Sequence, residues 1–404
     1  MRRSADVLVV GGGPAGTAAA ILLARAGLEV CLLEKGTFPR EKPCGEYLSP
    51  GCVPLLNRLG VLAALEGMEP QPIRGMRIET AGGTVFTGTY PGDELPPHGY
   101  SLPRYRFDAL LVEAARQAGV AYLEGWRVVD LVRKGRIVAG VVADSENGPQ
   151  PFTAPLTIGA DGRNSVVARR LKLFARHPSH RKVALVQRFQ TQAELGDLGQ
   201  VYLGRKGYCI LNPQGAGTVN VGVVVDQRDL PLHQAWEGVF AGLLGAYPQV
   251  QAKLSGARPL NPLWVLGPLA CHAKRVAGKG FLLVGDAAGY YDPMTGEGVF
   301  QALRGAELAA EIATQALGRG DAGLQTLKRY GVAYRKEFAP KNRVCQILQQ
   351  IVSRPRLCEL LGRHLEGRGE HIEELMGVVG DLLPPQRLLR PAFWTSLLMG
   401  KALP

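Results

Sequence analysis

The sequence lacks the features that mark secreted and membrane-spanning proteins. Its seven cysteines are few, odd in number and scattered without a Cys-x-x-Cys pair, which argues against a disulfide framework or a zinc knuckle. No apolar run approaches the roughly 18 residues that cross a bilayer. The basic start at Arg2 and Arg3 leads into an apolar stretch that Gly11 interrupts too early for a signal peptide. We therefore expect a protein of the reducing cytoplasm that holds no metal.

Acidic residues are also scarce, since 35 Asp and Glu face 47 Lys and Arg for a net charge of +12. No nucleic-acid-binding module accompanies this charge, so nucleic acid is not an expected partner. The apolar segment 391–399 is flanked by Arg387, Arg390 and Lys401. It predicts a helix that either packs on the protein with its basic residues in solvent or lies peripherally on the inner face of an anionic membrane.

A glycine-rich turn near the start of the chain has the clearest pattern. It follows an apolar strand-like run over residues 6–10 and precedes an Ala/Leu-rich helix over 17–26, while a second strand over 29–33 ends at Glu34. Glycines in such a turn bring backbone N–H groups close to a pyrophosphate, and an acid at the end of the second strand binds the adenosine ribose. The turn predicts a dinucleotide site formed by Gly11, Gly13, Pro14, Ala15, Gly16, Glu34 and Lys35.

The rest of the chain predicts a nucleotide-binding lobe that a second lobe interrupts. Residues 73–100 and 182–226 have short or alternating strand patterns, whereas 281–284 is a buried strand and 298–317 a long helix. From residue 324 the chain is mostly helical, with breaks expected at Pro340, Pro355 and Pro384. The predicted nucleotide-binding parts are 1–72, 103–175 and 265–324, the substrate parts are 73–102 and 176–264, and the helical region is 325–404.

Two further motifs decide which dinucleotide is expected. Residues 159–167 read Gly-Ala-Asp-Gly-Arg-Asn-Ser-Val-Val, and residues 285–289 read Gly-Asp-Ala-Ala-Gly, each after a predicted strand. In order and spacing, the three motifs resemble those of the FAD-dependent hydroxylase and geranylgeranyl reductase superfamily. The resemblance implies an α/β protein with a Rossmann-type FAD-binding domain, a mixed antiparallel-sheet substrate domain inserted into it, and a helical C-terminal region.

The resemblance also assigns roles to individual residues. Asp161 and Gly162 would lie near the pyrophosphate, and Asp286 would bind the ribitol on the flavin side. Arg104 matches a family motif that places an arginine beside the cofactor. The alternatives that remain open are a helix-capping acid for Asp286 and a surface arginine for Arg104.

A second glycine pair, Gly296-Glu297-Gly298, follows Pro293 and opens the predicted long helix. A helix N-terminus aimed at the pyrimidine side of a flavin stabilises the negative charge that reduction places there. Pro293 and the three residues of this turn are therefore predicted to contact FAD.

The segment from Pro39 to Gly45 resembles a loop of the geranylgeranyl reductase and flavin-dependent halogenase branch, which places a cysteine near the flavin. Three roles stay open for Cys44: a residue that tunes the flavin, a redox partner, or an inert buried thiol. Cys44 and Gly45 are accordingly predicted to be cofactor contacts, with Cys44 the candidate catalytic residue.

The predicted substrate wall departs from the family pattern. Geranylgeranyl reductases carry Tyr-x-Trp-x-Phe-Pro in the sheet that contacts the prenyl chain, and this sequence has Tyr208, Ile210, Asn212 and Pro213 at those positions. The tyrosine and proline match, whereas isoleucine replaces tryptophan and asparagine replaces phenylalanine. Halogenases of the branch need tryptophans that are absent here, so halogenation is not expected.

Three functions remain, of which two are enzymatic and one is non-catalytic. The first is a reductase that transfers hydride from reduced flavin to a double bond of a lipophilic, prenyl or polyketide-like substrate. The second is a monooxygenase that hydroxylates an aromatic or polyketide substrate through a C4a-hydroperoxide. The third is a non-catalytic flavin-binding protein that responds to redox state. We expect a monomer or homodimer, and since no second glycine-rich dinucleotide motif is present, NAD(P)H or a reduced protein would donate electrons transiently.

Overall fold

The computed structural model describes residues 3–92, 97–146, 148–178, 180–231 and 234–403. The strands of this part of the chain, β1 to β23 in order, are Val7–Val10, Val30–Glu34, Tyr47–Leu48, Gln71–Ile73, Gly75–Glu79, Val85–Thr89, Gly99–Ser101, Ala121–Glu124, Arg127–Lys134, Ile137–Asp144, Gln150–Thr153, Leu156–Gly159, Phe174–Arg176, Lys182–Gln190, Leu198–Leu203, Gly207–Pro213, Thr218–Asp226, Arg258–Pro259, Trp264–Leu266, Cys271–Ala273, Ala277–Gly278, Phe281–Leu283 and Gly289–Tyr290. The helices, α1 to α13, are Pro14–Arg25, Cys52–Arg58, Leu62–Glu66, Arg104–Gln117, Val166–Arg170, Trp236–Leu244, Pro248–Lys253, Gly298–Gly318, Leu324–Val352, Pro355–Leu365, Gly369–Val379, Gln386–Leu389 and Pro391–Met399.

A six-stranded sheet carries the glycine-rich turn. Its order is β21-β22-β12-β1-β2-β8, and β1 pairs in parallel with both β2 and β12. All four residues of β1 are buried, as expected for a parallel strand with both faces covered. Helix α1 packs against α4 and α8 and begins at Pro14, where proline suits the first helical position. The predicted doubly wound α/β lobe is confirmed.

An eight-stranded sheet forms the opposite side of the molecule. Strands β14, β17, β16 and β15 are antiparallel neighbours, β15 continues in parallel to β5, and β6 closes that edge. The sheet therefore joins residues 75–89 to residues 182–226, which are far apart in sequence. This arrangement confirms the antiparallel hairpins predicted for 182–226 and explains the excursion predicted within 73–100.

The C-terminal region covers one end of the eight-stranded sheet. Helices α9 to α13 share an apolar core with Met76 and Phe86 of β5 and β6. The break predicted at Pro340 is wrong, because α9 continues through that proline from Leu324 to Val352. Phe338 and Val344 are buried on either side of it, so packing holds both halves of the helix in line despite the missing hydrogen bond. Among the described residues, no helix is both long and apolar enough to cross a membrane.

Candidate functional site

A cleft of about 170 Å³ lies between the six-stranded and eight-stranded sheets. The glycine-rich turn, the loop before β3, the start of α4, the turn after β12 and the start of α8 border it on one side. Strands β14 to β17 form the other wall. The predicted site residues that line this cleft are Gly13, Pro14, Ala15, Cys44, Gly45, Arg104, Gly162, Ile210, Asn212, Asp286, Pro293, Gly296 and Gly298.

The three glycines of the first motif have different structural tasks. Gly11 adopts φ +105, which L side chains rarely adopt. A Cβ atom at Gly16 would stand 1.8 Å from the Gly11 carbonyl oxygen, so only glycine lets α1 pack this close to the turn. Gly13 has no heavy atom within 4 Å of where its Cβ would stand. Its open side faces the cleft, as a pyrophosphate-binding position requires.

Glu34 holds the turn rather than standing free. Its Oε2 accepts a hydrogen bond from the Gly12 amide at 2.7 Å, and Oε1 accepts one from the Gly36 amide at 2.9 Å. The residue is 4% exposed, and its role toward an adenosine ribose stays a prediction. Lys35 is exposed and does not line the cleft.

The two aspartates of the later motifs face different surroundings. Asp286 lines the cleft, and its role toward the flavin-side ribitol stays a prediction. Asp161 Oδ2 instead accepts hydrogen bonds from the amides of Val166 at 2.6 Å and Val167 at 3.2 Å. Burial raises the pKa of Asp161. Asp161 therefore organises the turn, and its neighbour Gly162, with open space at its Cβ position, presents backbone to the cleft.

In the Gly296-Glu297-Gly298 turn, too, some residues line the cleft while the acidic side chain points elsewhere. Gly296 has φ +67, and a Cβ there would lie 2.6 Å from the Tyr47 ring. Both glycines line the cleft, whereas Glu297 is 3% exposed and turned away from it. Its carboxylate accepts a hydrogen bond from Cys345 Sγ at 3.0 Å and lies 3.7 Å from Lys341 Nζ. Only the backbone of Glu297 remains for the predicted cofactor contact.

Arg104 is a buried cleft residue rather than a surface arginine. It is 5% exposed, and its Nε and Nη2 donate to the two oxygens of Asp108 at 2.7 and 2.9 Å. Its guanidinium also interacts with the Cys44 side chain. Of the seven free cysteines, Cys44 is the one that is not buried. Lys42 lines the same part of the cleft, and burial lowers the pKa of its ammonium group.

The predicted substrate residues do not all reach the cleft. Ile210 and Asn212 line it, whereas Tyr208 and Pro213 do not. Tyr208 is fully buried, and its hydroxyl donates to Asp292 Oδ1 at 2.6 Å. Because side chains alternate between the two faces of a strand, Tyr208 and Ile210 lie on the same face of β16. Tyr208 nevertheless lies outside the cleft, where its hydroxyl binds Asp292.

Sequence reasoning missed several residues of the site. Lys42 stands inside the recognised 39–45 segment, which was a usable signal. The others are a tyrosine, a methionine pair and an asparagine on separate elements, and no local pattern brings them together: Tyr290, Met76, Met294 and Asn220.

A second cavity of about 120 Å³ adjoins the cleft on the side of the C-terminal helices. Met76, Val201 and Met294 line both spaces, so these three side chains form the partition between them. The walls of the second cavity are almost entirely carbon, with Leu361 and Trp394 among them. The cleft is therefore bordered, across these three side chains, by an apolar space that water does not favour.

Comparison with known proteins agrees with this geometry. Residues 4–229 match the family model described as "FAD binding domain". The chain is 32% identical over 324 residues to a menaquinone reductase of Mycobacterium tuberculosis, covering 76% of each chain. It is 30% identical over 356 residues to a digeranylgeranylglycerophospholipid reductase of Methanoculleus marisnigri, covering 83% of each. A flavoprotein/dehydrogenase structure from Cytophaga hutchinsonii superposes with a TM-score of 0.84 at 21% identity, covering 93% of this chain and 92% of that one.

The residues present suit the cofactor that this family binds. Gly13 and Gly162 leave open space where side chains would obstruct a pyrophosphate, and Asp286 borders the cleft. The glycine pair at the start of α8 borders the cleft, and the N-terminus of that helix would stabilise negative charge on a reduced flavin bound there. The chain thus belongs to the FAD-binding domain family and is an FAD-dependent oxidoreductase.

Proposed function

We propose that this oxidoreductase reduces a carbon–carbon double bond of a lipophilic substrate that carries a prenyl chain. The observation that carries the proposal is the apolar cavity that adjoins the cleft, with Met76, Val201 and Met294 lining both spaces. A prenyl chain matches such carbon walls, whereas a small charged metabolite would be desolvated there without partners. Similarity to two reductases whose names refer to a menaquinone and a geranylgeranyl lipid supports the same substrate class.

The chain's own residues would exclude water and hold the reacting bond. FAD, when bound and reduced, would supply the hydride. Ile210, Val186 and Val224 form an apolar wall opposite the Cys44 loop, and methionines at the partition adapt to irregular chains. A proton must also be supplied to complete the reduction, and the Cys44 side chain lines the cleft together with Arg104. We retain Cys44 as the flavin-adjacent candidate for that role.

A basic cavity of about 280 Å³ supports a nicotinamide dinucleotide as the electron donor. It is lined by Lys274, Arg275 and Arg335, and it shares Tyr290 with the cleft. Phosphate groups favour such cationic surroundings. Replacing Arg275 by Glu should raise the KM for NADPH without changing reduction by dithionite. Equal KM values would leave a reduced protein as the donor.

The decisive experiment uses neighbouring leucines of α10. Leu361 lines the apolar cavity, whereas Leu360 is 48% exposed. Leu361→Trp should raise the KM for a long-chain prenyl substrate by about tenfold or more, the loss expected when buried methylenes are excluded from an apolar site. Leu360→Trp is the matched control and should leave that KM unchanged.

The same assay separates reduction from oxygenation. Under anaerobic conditions, reduced protein should add two hydrogens to one double bond in the prenyl chain of menaquinone or of a geranylgeranyl lipid, as located by fragment masses in tandem mass spectrometry. An apolar cleft also suits the monooxygenase alternative. Substrate-dependent oxygen uptake with insertion of one oxygen atom, and no saturated product, would favour that alternative and contradict the proposal.

Contact with a membrane surface is a second part of the proposal. In α13, Phe393 and Leu397 are buried in the C-terminal core, while Leu398 and Met399 are 48% and 67% exposed. An exposed apolar pair beside Lys401 suits the edge of a headgroup layer. The variant with both Leu398→Glu and Met399→Glu should lose binding to anionic vesicles in sedimentation. Equal sedimentation of variant and wild type would remove α13 as the contact.

A further inference from the structure

A buried carboxylate joins the two sides of the cleft. Glu46 is 1% exposed. Its Oε1 accepts a hydrogen bond from the Arg104 amide at 3.0 Å and lies 3.5 Å from Arg188 Nη1. Its Oε2 accepts hydrogen bonds from Gln214 Nε2 and Asn220 Nδ2, both at 2.7 Å. The start of α4 is thereby connected through one side chain to β14, β17 and the turn between β16 and β17.

The backbone at Glu46 carries a cost that only its side chain explains. Its φ is +56, a left-handed conformation that favours glycine and costs other residues of order 1 kcal/mol or more. Burial raises the pKa of Glu46, while Arg188 and the amide donors act in the opposite direction. The left-handed backbone and the burial of the carboxylate both cost free energy at Glu46, and its four polar contacts offset that cost.

The two residues before Glu46 are held from the same sheet. Asn212 Nδ2 donates to the Gly45 carbonyl oxygen at 2.7 Å, and Asn220 Nδ2 lies 3.2 Å from the Cys44 carbonyl oxygen. Three consecutive residues of the flavin-facing loop are therefore tied to β16 and β17. Asn212 is also the position at which the family motif has phenylalanine, so this chain has a polar tie where an aromatic ring is expected.

We infer that Glu46 is a positioning residue that fixes Cys44 and Gly45 against the flavin. Glu46, Asn212 and Asn220 together are called the clamp. The inference goes beyond the proposed function, because it concerns the geometry of the loop whatever substrate the cleft accepts. Since the clamp acts from the substrate sheet, the position of the Cys44 thiol depends on β16 and β17 rather than on the FAD-binding sheet alone.

Alkylation of Cys44 measures the clamp directly. Cys44 is the one cysteine of the seven that is not buried, so iodoacetamide followed by peptide mass spectrometry reports its rate separately from the others. Asn220→Ala removes hydrogen bonds to both Glu46 and Cys44, and Glu46→Gly removes the carboxylate while keeping a residue that tolerates the backbone. In FAD-free protein, each variant should raise the Cys44 rate by about tenfold, the effect of losing roughly 1.4 kcal/mol of local order. In FAD-loaded protein, the flavin absorbance spectrum and midpoint potential should shift.

Glu41→Gln is the matched control. Glu41 forms an ion pair with the same Arg188, but its side chain is 42% exposed and touches none of the clamp amides. In the Glu41→Gln variant, the alkylation rate of Cys44 and the flavin spectrum should equal those of the wild type. Cys209, buried within β16, serves as an internal control for general loosening.

The outcomes separate the clamp from ordinary stabilisation. Wild-type Cys44 rates and an unchanged flavin spectrum in both variants would overturn the inference. A parallel rise at Cys209 would also overturn it, because the loop would then respond only to global unfolding. If Glu46→Gly does not fold, Asn220→Ala decides alone. No substrate or electron donor enters these measurements, so the result stands apart from the proposed function.

Discussion

Lys341 Nζ lies 2.6 Å from Asp381 Oδ1, between the middle of α9 and the turn after α11. The same ammonium donates to the Val378 carbonyl oxygen at 2.5 Å and lies 3.7 Å from Glu297 Oε2. Burial acts to lower the pKa of Lys341, but the two carboxylates outweigh it and raise that pKa. The C-terminal helices are therefore connected by charge to the turn that opens α8 at the cleft.

Replacing Lys341 by methionine should destabilise the protein by about 3–5 kcal/mol, because two buried carboxylates lose their shared cation. Chemical denaturation of the FAD-free protein measures this loss. Lys336→Met, at an exposed position of the same helix, is the control and should change stability by less than about 0.5 kcal/mol. Equal losses in both variants would show that the buried cation has no special part in holding α9.

The first glycine motif should separate folding from cofactor binding. Gly13→Ala has room for its methyl group, so the protein should fold with near wild-type stability. A methyl facing the pyrophosphate position should weaken FAD binding by about tenfold or more. Gly16→Ala places Cβ 1.8 Å from the Gly11 carbonyl oxygen and should abolish soluble, folded protein. Flavin fluorescence titration and circular dichroism test the pair, and tight FAD binding by Gly13→Ala would contradict the assignment.

Glu34 tests the adenosine side of the site. Glu34→Ala removes the acceptor of the Gly12 and Gly36 amides together with the predicted ribose contact. FAD affinity should fall by about tenfold or more, whereas FMN, which has no adenosine, should lose far less. Parallel fluorescence titrations with both flavins measure the difference. Equal losses for FAD and FMN would show that Glu34 only supports the turn.

A pH dependence is expected where α10 meets the β5–β6 hairpin. Thr80 and Thr84 hydroxyls donate to Glu359 and lower the pKa of its carboxyl from 4.5 to about 2. A carboxylate with a lowered folded-state pKa stabilises the fold above pH 4.5, and this contribution is lost as the pH falls from 4.5 toward 2. Glu359→Gln should therefore cost about 1 kcal/mol at neutral pH. The difference in unfolding free energy between variant and wild type, measured by chemical denaturation, should vanish in acid. A difference that does not vary with pH would contradict the assignment.

Local sequence patterns predicted the parts of the fold that depend on neighbours along the chain. The run of β1, the glycine turn and α1 follow from side-chain periodicity and from glycine's backbone freedom, both of which act within a few residues. The same is true of the hairpins over 182–226. Cofactor motifs at strand ends were recognisable because parallel strands bring their carboxyl ends to one edge of a sheet.

Only the tertiary structure decided which of those motif residues face the cleft. Asp161 and Asp286 stand in similar sequence surroundings, yet one carboxylate binds the amides of α5 and the other borders the cleft. Glu297 turns to Lys341, 44 positions along the chain, because a buried carboxylate needs a cation and α9 supplies one.

At Pro340, a local sequence signal gave a wrong prediction because tertiary packing outweighed it. A proline within a helical pattern predicts a break from local hydrogen bonding alone, but α9 packs on the core on both sides of it. Sequence by itself determined the FAD-binding framework, since short-range periodicity and glycine geometry specify it. The orientation of its charged side chains depends on partners that only folding brings within hydrogen-bonding distance, and the tertiary structure alone decided it.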